Sequence, residues 1–429
     1  MTTEQEILLS KINSRQAKVA VIGLGYVGLP LAVEFARVGF HTFGIDVDHR
    51  KVATLNAGRS YVIDVPQSDL AEVVISGKLT GTSDFGVLRG CDAVSICVPT
   101  PLSKTHDPDL SYVISAIDEV AKHVHPGMLI ILESTTYPGT TDEIIIPKVV
   151  GNGHEVGQDV FVAFSPERTD PGRKDFTLKT TPKIVGGATP ACLEVASALY
   201  SHVTGRTVPV SSVAAAEMAK LLENTFRAVN IALANEILLM CDKLGLDAWE
   251  IIEAAATKPY GFMKFTPGPG VGGHCIPLDP QYLSWKLRTL DYNARFIQLA
   301  EEINRHMPAY WVNKVVDVLN AAKKSVNGSQ VLVLGVTYKP DIDDLRESPA
   351  LDIIKLLSKL GARVSYHDPF VNSLKPEGLE TPCVELTEGY IRSVDCVMVI
   401  ADHSIYDWDW IRASARAIVD CRNVFKKRF

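Results

Sequence analysis

The chain has 429 residues, 46% hydrophobic and 22% charged, a globular balance too long for one ordinary core and suited to two or three domains. Its net charge of −7 gives no electrostatic footing for nucleic acid. The eight cysteines are scattered without a CxxC pair, which points to neither a metal site nor a disulfide framework and fits a reducing compartment. The polar start Met1-Thr-Thr-Glu has no apolar signal core, and no apolar run reaches about 18 residues. The expectation is a cytoplasmic protein that engages neither membrane nor nucleic acid.

Residues 18–22, Lys-Val-Ala-Val-Ile, read as a buried parallel strand. Gly23, Gly25 and Gly28 follow as GxGxxG, with Tyr26 and Val27 between the last two, and open a helix over about 29–38 that Gly39 stops. Residues 43–46 read as the next strand, ending in Asp46. Strand, glycine turn, helix and acid-ended strand form one βαβ unit, the setting in which GxGxxG binds a dinucleotide. Gly23 allows the tight turn, Gly25 the approach of the pyrophosphate, and Gly28 close helix–strand packing. Asp46 has near the spacing of a ribose-binding acid and favours NAD over NADP, although Arg50 and Lys51 could compensate a 2′-phosphate.

Further strands are expected at 93–98, 128–132 and 160–164, short apolar runs covered on both faces. Turns follow them with Thr100, with Ser134 and Thr135, and with Glu167 and Arg168. Strand carboxyl ends form the ligand crevice of such sheets. The hydroxyls fit ribose, nicotinamide or water contacts, or ordinary turn bonding. Glu167 fits a crevice carboxylate or a surface turn.

Residues 213–245 lack glycine and proline until their end and predict one long helix. Lys220 and Asn224 share a face of it. They suit either a solvated face or a pair that polarises an alcohol. A second helical stretch is expected over about 280–319. Between the two lies Pro-Gly-Pro-Gly-Val-Gly-Gly-His-Cys-Ile-Pro-Leu-Asp, 267–279, a loop that brings backbone near a ligand. Cys275 at its end is a candidate nucleophile and Asp279 a candidate positioner of water or a cation. The bland alternative is a buried structural cysteine.

Residues 330–335 open a second α/β lobe, with Ser348 as N-cap, Pro349 at the first helical position, and strands at 362–366, 396–400 and 417–420. Its turn, 335–339, carries Lys339 and no GxGxxG, which suits a nucleotide other than a dinucleotide. The fold class expected is α/β: two Rossmann-like lobes joined by a helical middle region with a long central helix. The divisions expected are a cofactor domain over 1–205, a helical and dimerising domain over 206–322, and a second nucleotide-binding domain over 323–429.

The stretches VAVIGLGYVGLPLA, GIDVD, VPTP, ESTTYPGTT, FSPER, EMAKLLENTFRAVNIA, PGPGVGGHCIPLDP, LGVTYKPDIDDLRESPA and DCRN resemble the UDP-glucose/GDP-mannose dehydrogenase family along essentially the whole chain. The resemblance implies NAD as cofactor and a UDP-sugar as substrate, whose C6 alcohol is taken to a carboxylate in a four-electron oxidation. It implies Cys275 as the nucleophile that passes through a thiohemiacetal and a thioester. Lys220 and Asn224 are implied to stabilise oxyanion charge, Asp279 to pair with that lysine and the hydrolytic water, and Thr135 and Glu167 to place water and sugar. Arg422 is implied as a cofactor contact. Arg168, Gly272, Lys339, Tyr260, Phe262 and Lys264 are implied to bind substrate, the last three from a loop that partly serves the neighbouring subunit of a homodimer or higher oligomer.

SPERTDPG, KPYGFMKFTPGPGVGGHC and DPQYLSWK look most like members that make UDP-GlcNAcA from UDP-GlcNAc for surface polysaccharide or lipopolysaccharide. UDP-glucose, UDP-GalNAc and UDP-ManNAc are the alternatives. Pro171 stands where UDP-glucose enzymes often carry a second glutamate, which argues against UDP-glucose. The rival readings are a two-electron β-hydroxyacid-type dehydrogenase and a non-catalytic sugar-nucleotide-binding regulator.

Overall fold

The computed structural model describes residues 3–62, 64–103, 107–151, 153–168 and 175–425; Pro171 lies outside them. The chain forms two compact units, 1–223 with 281–290, and 224–280 with 291–429.

The first unit is built on strands β1 (Lys18–Ile22), β2 (His41–Ile45), β3 (Leu79–Thr82), β4 (Ala93–Ile96), β5 (Leu129–Leu132), β6 (Phe161–Phe164), β7 (Lys183–Gly187) and β8 (Thr207–Val210). They form one sheet in the order β3-β2-β1-β4-β5-β6-β7-β8. All neighbours are parallel except β6 and β7. Alternate residues of a strand face opposite sides of a sheet. Val19 and Val21 accordingly enter one core with Leu29 and Phe35, while Ala20 and Ile22 enter another with Val94 and Ile130. Both faces are covered, which explains why β4, β5 and β6 are apolar runs rather than alternating ones. The strand order turns outward in both directions from β1 and β4, the switch point at which open α/β sheets bind ligands.

The second unit carries β9 (Gln330–Leu334), β10 (Arg363–His367), β11 (Cys396–Val399) and β12 (Ile418–Asp420), all parallel, in the order β10-β9-β11-β12. Val331 and Val333 pack on one face, Leu332 and Leu334 on the other. Ser348 caps the helix Pro349–Lys359 by accepting from the Ala350 amide, and its own hydroxyl donates to Val336 O at 2.7 Å. The fold is thus mixed α/β, with a large Rossmann-like lobe and a second parallel sheet.

The long helix is Val213–Leu244, 32 residues. The helical stretch expected over 280–319 is corrected: it is two helices, Asp279–Arg288 and Arg295–Ala321. Asp291 between them has φ 56°, a left-handed conformation that no right-handed helix can carry through. Strands β3, β7 and β8 were not anticipated; β3 is short and half polar, and β7 ends in two glycines. Among the described residues no helix is long and apolar enough to cross a membrane, and no group of three or more His, Cys, Asp and Glu could hold a metal ion.

Candidate active site

In the first unit the glycine turn follows β1. Gly23 has φ +90°, and a Cβ there would stand 2.6 Å from Cys97 O; a Cβ on Gly28 would meet Gly23 O at 1.8 Å. Gly25 has no atom within 4 Å of that position. Packing therefore dictates the outer glycines, while the middle one faces open space. The helix Gly28–Arg37 begins at Val27 with no side-chain cap and no acidic residue in its first turn. The Leu29 amide donates to Gly25 O at 3.1 Å and Pro30 has none, so it is the glycine turn just ahead of the helix that an anion such as a pyrophosphate would meet. Tyr26 is exposed beside this turn.

Asp46 is buried and accepts from the Leu24 amide and the Asp48 amide, each at 2.9 Å, so the carboxylate ties the end of β2 to the glycine turn. Lys51 Nζ lies 3.4 Å from it. Arg50 is held by Asp48 through two bonds of 3.1 and 3.0 Å. Each cation that could receive a 2′-phosphate thus already has a carboxylate. The Ser134 hydroxyl donates to Val98 O at 2.7 Å and so closes a turn. Thr100 is buried and Thr135 partly exposed.

Glu167 follows β6. Its Oε1 accepts from the Arg168 amide at 2.8 Å and its Oε2 lies 3.4 Å from Lys183 Nζ. Arg168 forms an ion pair with Glu223 at 2.5 Å and donates to Pro182 O at 2.7 Å. Lys220 is buried.

In the second unit the loop before Cys275 is pinned at several points. The Gly268 amide donates to Asn235 Oδ1 and Gly268 O accepts from Trp311 Nε1, both at 2.9 Å; Asn235 in turn donates to Asn304 at 2.9 Å. The Gly273 amide donates to Arg346 O at 2.9 Å. Cβ atoms on Gly272 and Gly273 would come within 2.6 and 2.8 Å of Tyr338, so the loop lies flat on that side chain. Asn235, Asn304, Trp311 and Tyr338 were missed by sequence reasoning. A buried asparagine on an apolar helix was the available signal for Asn235. The Arg422 Nε donates to Ile400 O at 2.7 Å and its guanidinium lies against Gly268.

Cys275 is exposed, whereas six of the other seven cysteines are buried. Its carbonyl accepts from the Asp279 amide at 2.8 Å, which starts the helix Asp279–Arg288. Asp279 is buried and accepts from Asn224 Nδ2. Asn224, Asp279 and the cysteine turn are thereby brought together. His274 beside the thiol has its pKa lowered by burial and by Arg346, against an opposing pull from Asp344. Tyr260 and Phe262 are exposed, and Lys264 pairs with Glu253.

The turn of Lys339 repeats the build of the cofactor turn. Gly335 has φ +75°, its amide donates to His367 O at 3.0 Å, and Asp368 at the end of β10 accepts from the Val336 amide at 2.7 Å. Here the acid meets the buried His403 Nε2 at 3.0 Å. His403 Nδ1 accepts from the Asp341 amide at 2.9 Å, which sets the proton on Nε2.

The NAD binding domain of the UDP-glucose/GDP-mannose dehydrogenase family matches residues 17–204, the family's central domain matches 214–306, and its UDP binding domain matches 332–427. The chain is 37% identical to UDP-N-acetyl-D-glucosamine 6-dehydrogenase of Pseudomonas aeruginosa over 84% of each chain. It is 38% identical to UDP-N-acetyl-D-mannosamine dehydrogenase of Pyrococcus horikoshii over 96% of each. The solved structure of the UDP-D-ManNAc dehydrogenase from Pyrococcus horikoshii superposes with a TM-score of 0.87 at 36% identity, covering 96% of each chain.

Proposed function

This chain belongs to the UDP-glucose/GDP-mannose dehydrogenase family and is an NAD-dependent UDP-sugar dehydrogenase; on that premise we propose that it oxidises the C6 hydroxyl of a UDP-N-acetylhexosamine, UDP-GlcNAc to UDP-GlcNAcA, through covalent capture on Cys275. The observation that carries the covalent step is the exposure of that one thiol at the end of a pinned loop, next to the Asn224–Asp279 bond.

Bound NAD+ supplies a hydride acceptor, and two are consumed per sugar. The ammonium of Lys220 stabilises the oxyanion that forms as the C6 hydroxyl loses its proton and hydride. The Cys275 thiolate adds to the resulting aldehyde, which has no hydride to give until a nucleophile adds. Loss of the second hydride leaves a thioester on Cys275. Water then attacks the acyl carbon, the carbon–sulfur bond breaks, and carboxylate and thiolate result. Asn224 orients Asp279 for this last step, and Glu167 with Thr135 holds the water or the sugar. Asp46 receives the adenosine ribose, Gly25 the pyrophosphate, and Arg422 a further cofactor group. Lys339, Arg168, Gly272 and the stretch 260–264 bind the sugar nucleotide.

We assign these tasks to the divisions 1–205, 206–322 and 323–429. A second copy of the chain covers the long helix, where Met218, Leu222, Phe226, Leu233, Met240 and Leu244 are exposed. At 3.6 residues per turn these fall within an arc of about 80°. Eight free cysteines fit a reducing cytoplasm, where the product would feed surface polysaccharide synthesis.

UDP-ManNAc is the second reading, favoured by the identity to the Pyrococcus horikoshii relative over nearly the full length. A panel of UDP-hexoses and UDP-N-acetylhexosamines, assayed with NAD+ and NADP+ while NADH and product are counted, tests all of this. Fastest turnover of UDP-GlcNAc with two NADH per product is expected. Faster turnover of UDP-ManNAc moves the substrate, and a single NADH per product supports the two-electron rival.

A further inference from the structure

A buried ion cluster stands at the carboxyl edge of the first sheet, and the proposed reaction uses only one of its members. Lys183 opens β7 and is buried; its Nζ lies 2.6 Å from Glu133 Oε2 and 3.4 Å from Glu167 Oε2. Glu133 directly follows β5, and its other oxygen accepts from the Tyr200 hydroxyl. Because β7 runs antiparallel to β6, its first residue arrives at the edge where β5 and β6 end. A parallel β7 would have carried the lysine to the opposite edge.

Other titratable groups among the described residues face the cluster. Tyr200, from the helix Pro190–Ser201, lies under the ammonium at 5.2 Å. Burial keeps the Cys97 thiol protonated. Arg168 is engaged by Glu223 and Pro182 O. Burial alone would lower the Lys183 pKa, but Glu133 and Glu167 outweigh it and push it up. Burial raises the Glu133 pKa against the pull of Lys183, and a buried ion pair is a weak source of stability compared with apolar packing, so stability alone does not account for the cluster.

We propose that Lys183 is a positioning residue for the reaction. Anchored by Glu133, its ammonium keeps the Glu167 carboxylate ionised and in one orientation. Glu167 then meets the sugar or the hydrolytic water as a fixed hydrogen-bond acceptor and does not exchange a proton during turnover. Its two oxygens are steadied from different sides, one by the Arg168 amide and one by Lys183. The inference rests on the reading of Glu167 given under Proposed function.

The test is the pH dependence of kcat/KM for NADH formation, with NAD+ and whichever UDP-sugar of the panel turns over fastest. A neighbouring opposite charge depresses a carboxyl pKa by roughly 1–3 units. Lys183→Met therefore moves the acid limb to higher pH by about one unit or more, while Lys183→Arg leaves it in place. Glu133→Gln gives the ammonium to Glu167 alone and moves the limb to lower pH. A purely structural role would reduce stability in these variants without moving the limb. Should Lys183→Met not fold, Glu133→Gln decides: an unmoved or raised limb overturns the proposal, as does an unmoved limb in folded Lys183→Met. Glu167→Gln separates the two levels. Unchanged turnover and limb in that variant removes Glu167 from the ligand site altogether. A limb abolished by Glu167→Gln but untouched by Lys183→Met removes only the role of Lys183.

Discussion

Alanine at Gly25 and alanine at Gly28 should have opposite consequences, although the two glycines share one turn. At Gly28 the new methyl would stand 1.8 Å from Gly23 O and 3.2 Å from Cys97 Cβ. The first contact is with backbone, so no rotamer change relieves it. Overpacking of this kind costs ~1–3 kcal/mol or more, and for a unit of this size each kcal/mol lowers the melting temperature by roughly 2–4 °C. At Gly25 the methyl meets nothing within 4 Å. Gly→Ala at such a position adds about 0.4–1 kcal/mol by restricting the unfolded chain. The same methyl fills the space into which a pyrophosphate would come, and it blocks bonds from backbone amides to a charged group worth about 1.5–3 kcal/mol. That corresponds to roughly 10- to 100-fold weaker binding. Thermal melts without ligand and NAD+ titrations by calorimetry measure both effects. Gly25→Ala is expected to melt at or slightly above wild type and to bind NAD+ at least tenfold more weakly. Gly28→Ala is expected to melt several degrees lower. Wild-type NAD+ affinity in Gly25→Ala, or a wild-type melt in Gly28→Ala, would refute the division of roles between the two glycines.

Glu217 gives a pH-dependent expectation. Its carboxylate accepts from the Gly139 amide, the Thr141 amide and the Thr141 hydroxyl at 2.6, 2.9 and 2.7 Å, yet burial outweighs these donors and raises its pKa to about 7. A raised folded pKa means that the folded state binds the proton more tightly. The contribution is therefore full below the unfolded carboxyl pKa and is lost as pH rises through about 7. Urea melts at pH steps from 5 to 8 should show a decline on the order of 1–3 kcal/mol that is absent in Glu217→Gln; parallel curves for the two proteins would contradict it. For the proposed dimer, Leu233→Glu places a charge in the exposed stripe of the long helix and should give a monomer by light scattering where wild type gives a dimer. An unchanged mass would move the interface elsewhere.

What the sequence made legible is what local physics fixes. GxGxxG after a strand could be read because two of its glycines are demanded by contacts inside the turn itself. The 32-residue helix was read to its ends because it lacks breakers, and Ser348–Pro349 because a cap and its proline are neighbours. The break between the helices Asp279–Arg288 and Arg295–Ala321 was not legible. Leu290 and Tyr292 maintain a helical rhythm there, and only the backbone at Asp291 reveals the turn. The candidate site divides in the same way. Cys275 and Asp279 are four residues apart, and their link is one turn of backbone. The Glu133–Lys183–Tyr200 cluster and the Asp368–His403 pair join residues 35 to 67 positions apart through the order of the strands, which no local pattern encodes. Asp368 could have been suspected as the counterpart of Asp46, since both end the strand that pairs with a glycine-turn strand.

The central claim is that the half-oxidised sugar is held on one sulfur. Acid-quenched turnover mixtures of wild type and Cys275→Ser, read by peptide mass spectrometry with NADH counted in parallel, test it most directly. The expected result is a UDP-sugar acyl adduct on the peptide containing Cys275 in wild type, with no adduct and no carboxylate product from Cys275→Ser even though NAD+ still binds. Acid formation at the wild-type rate by Cys275→Ser, with two NADH per sugar, would contradict it.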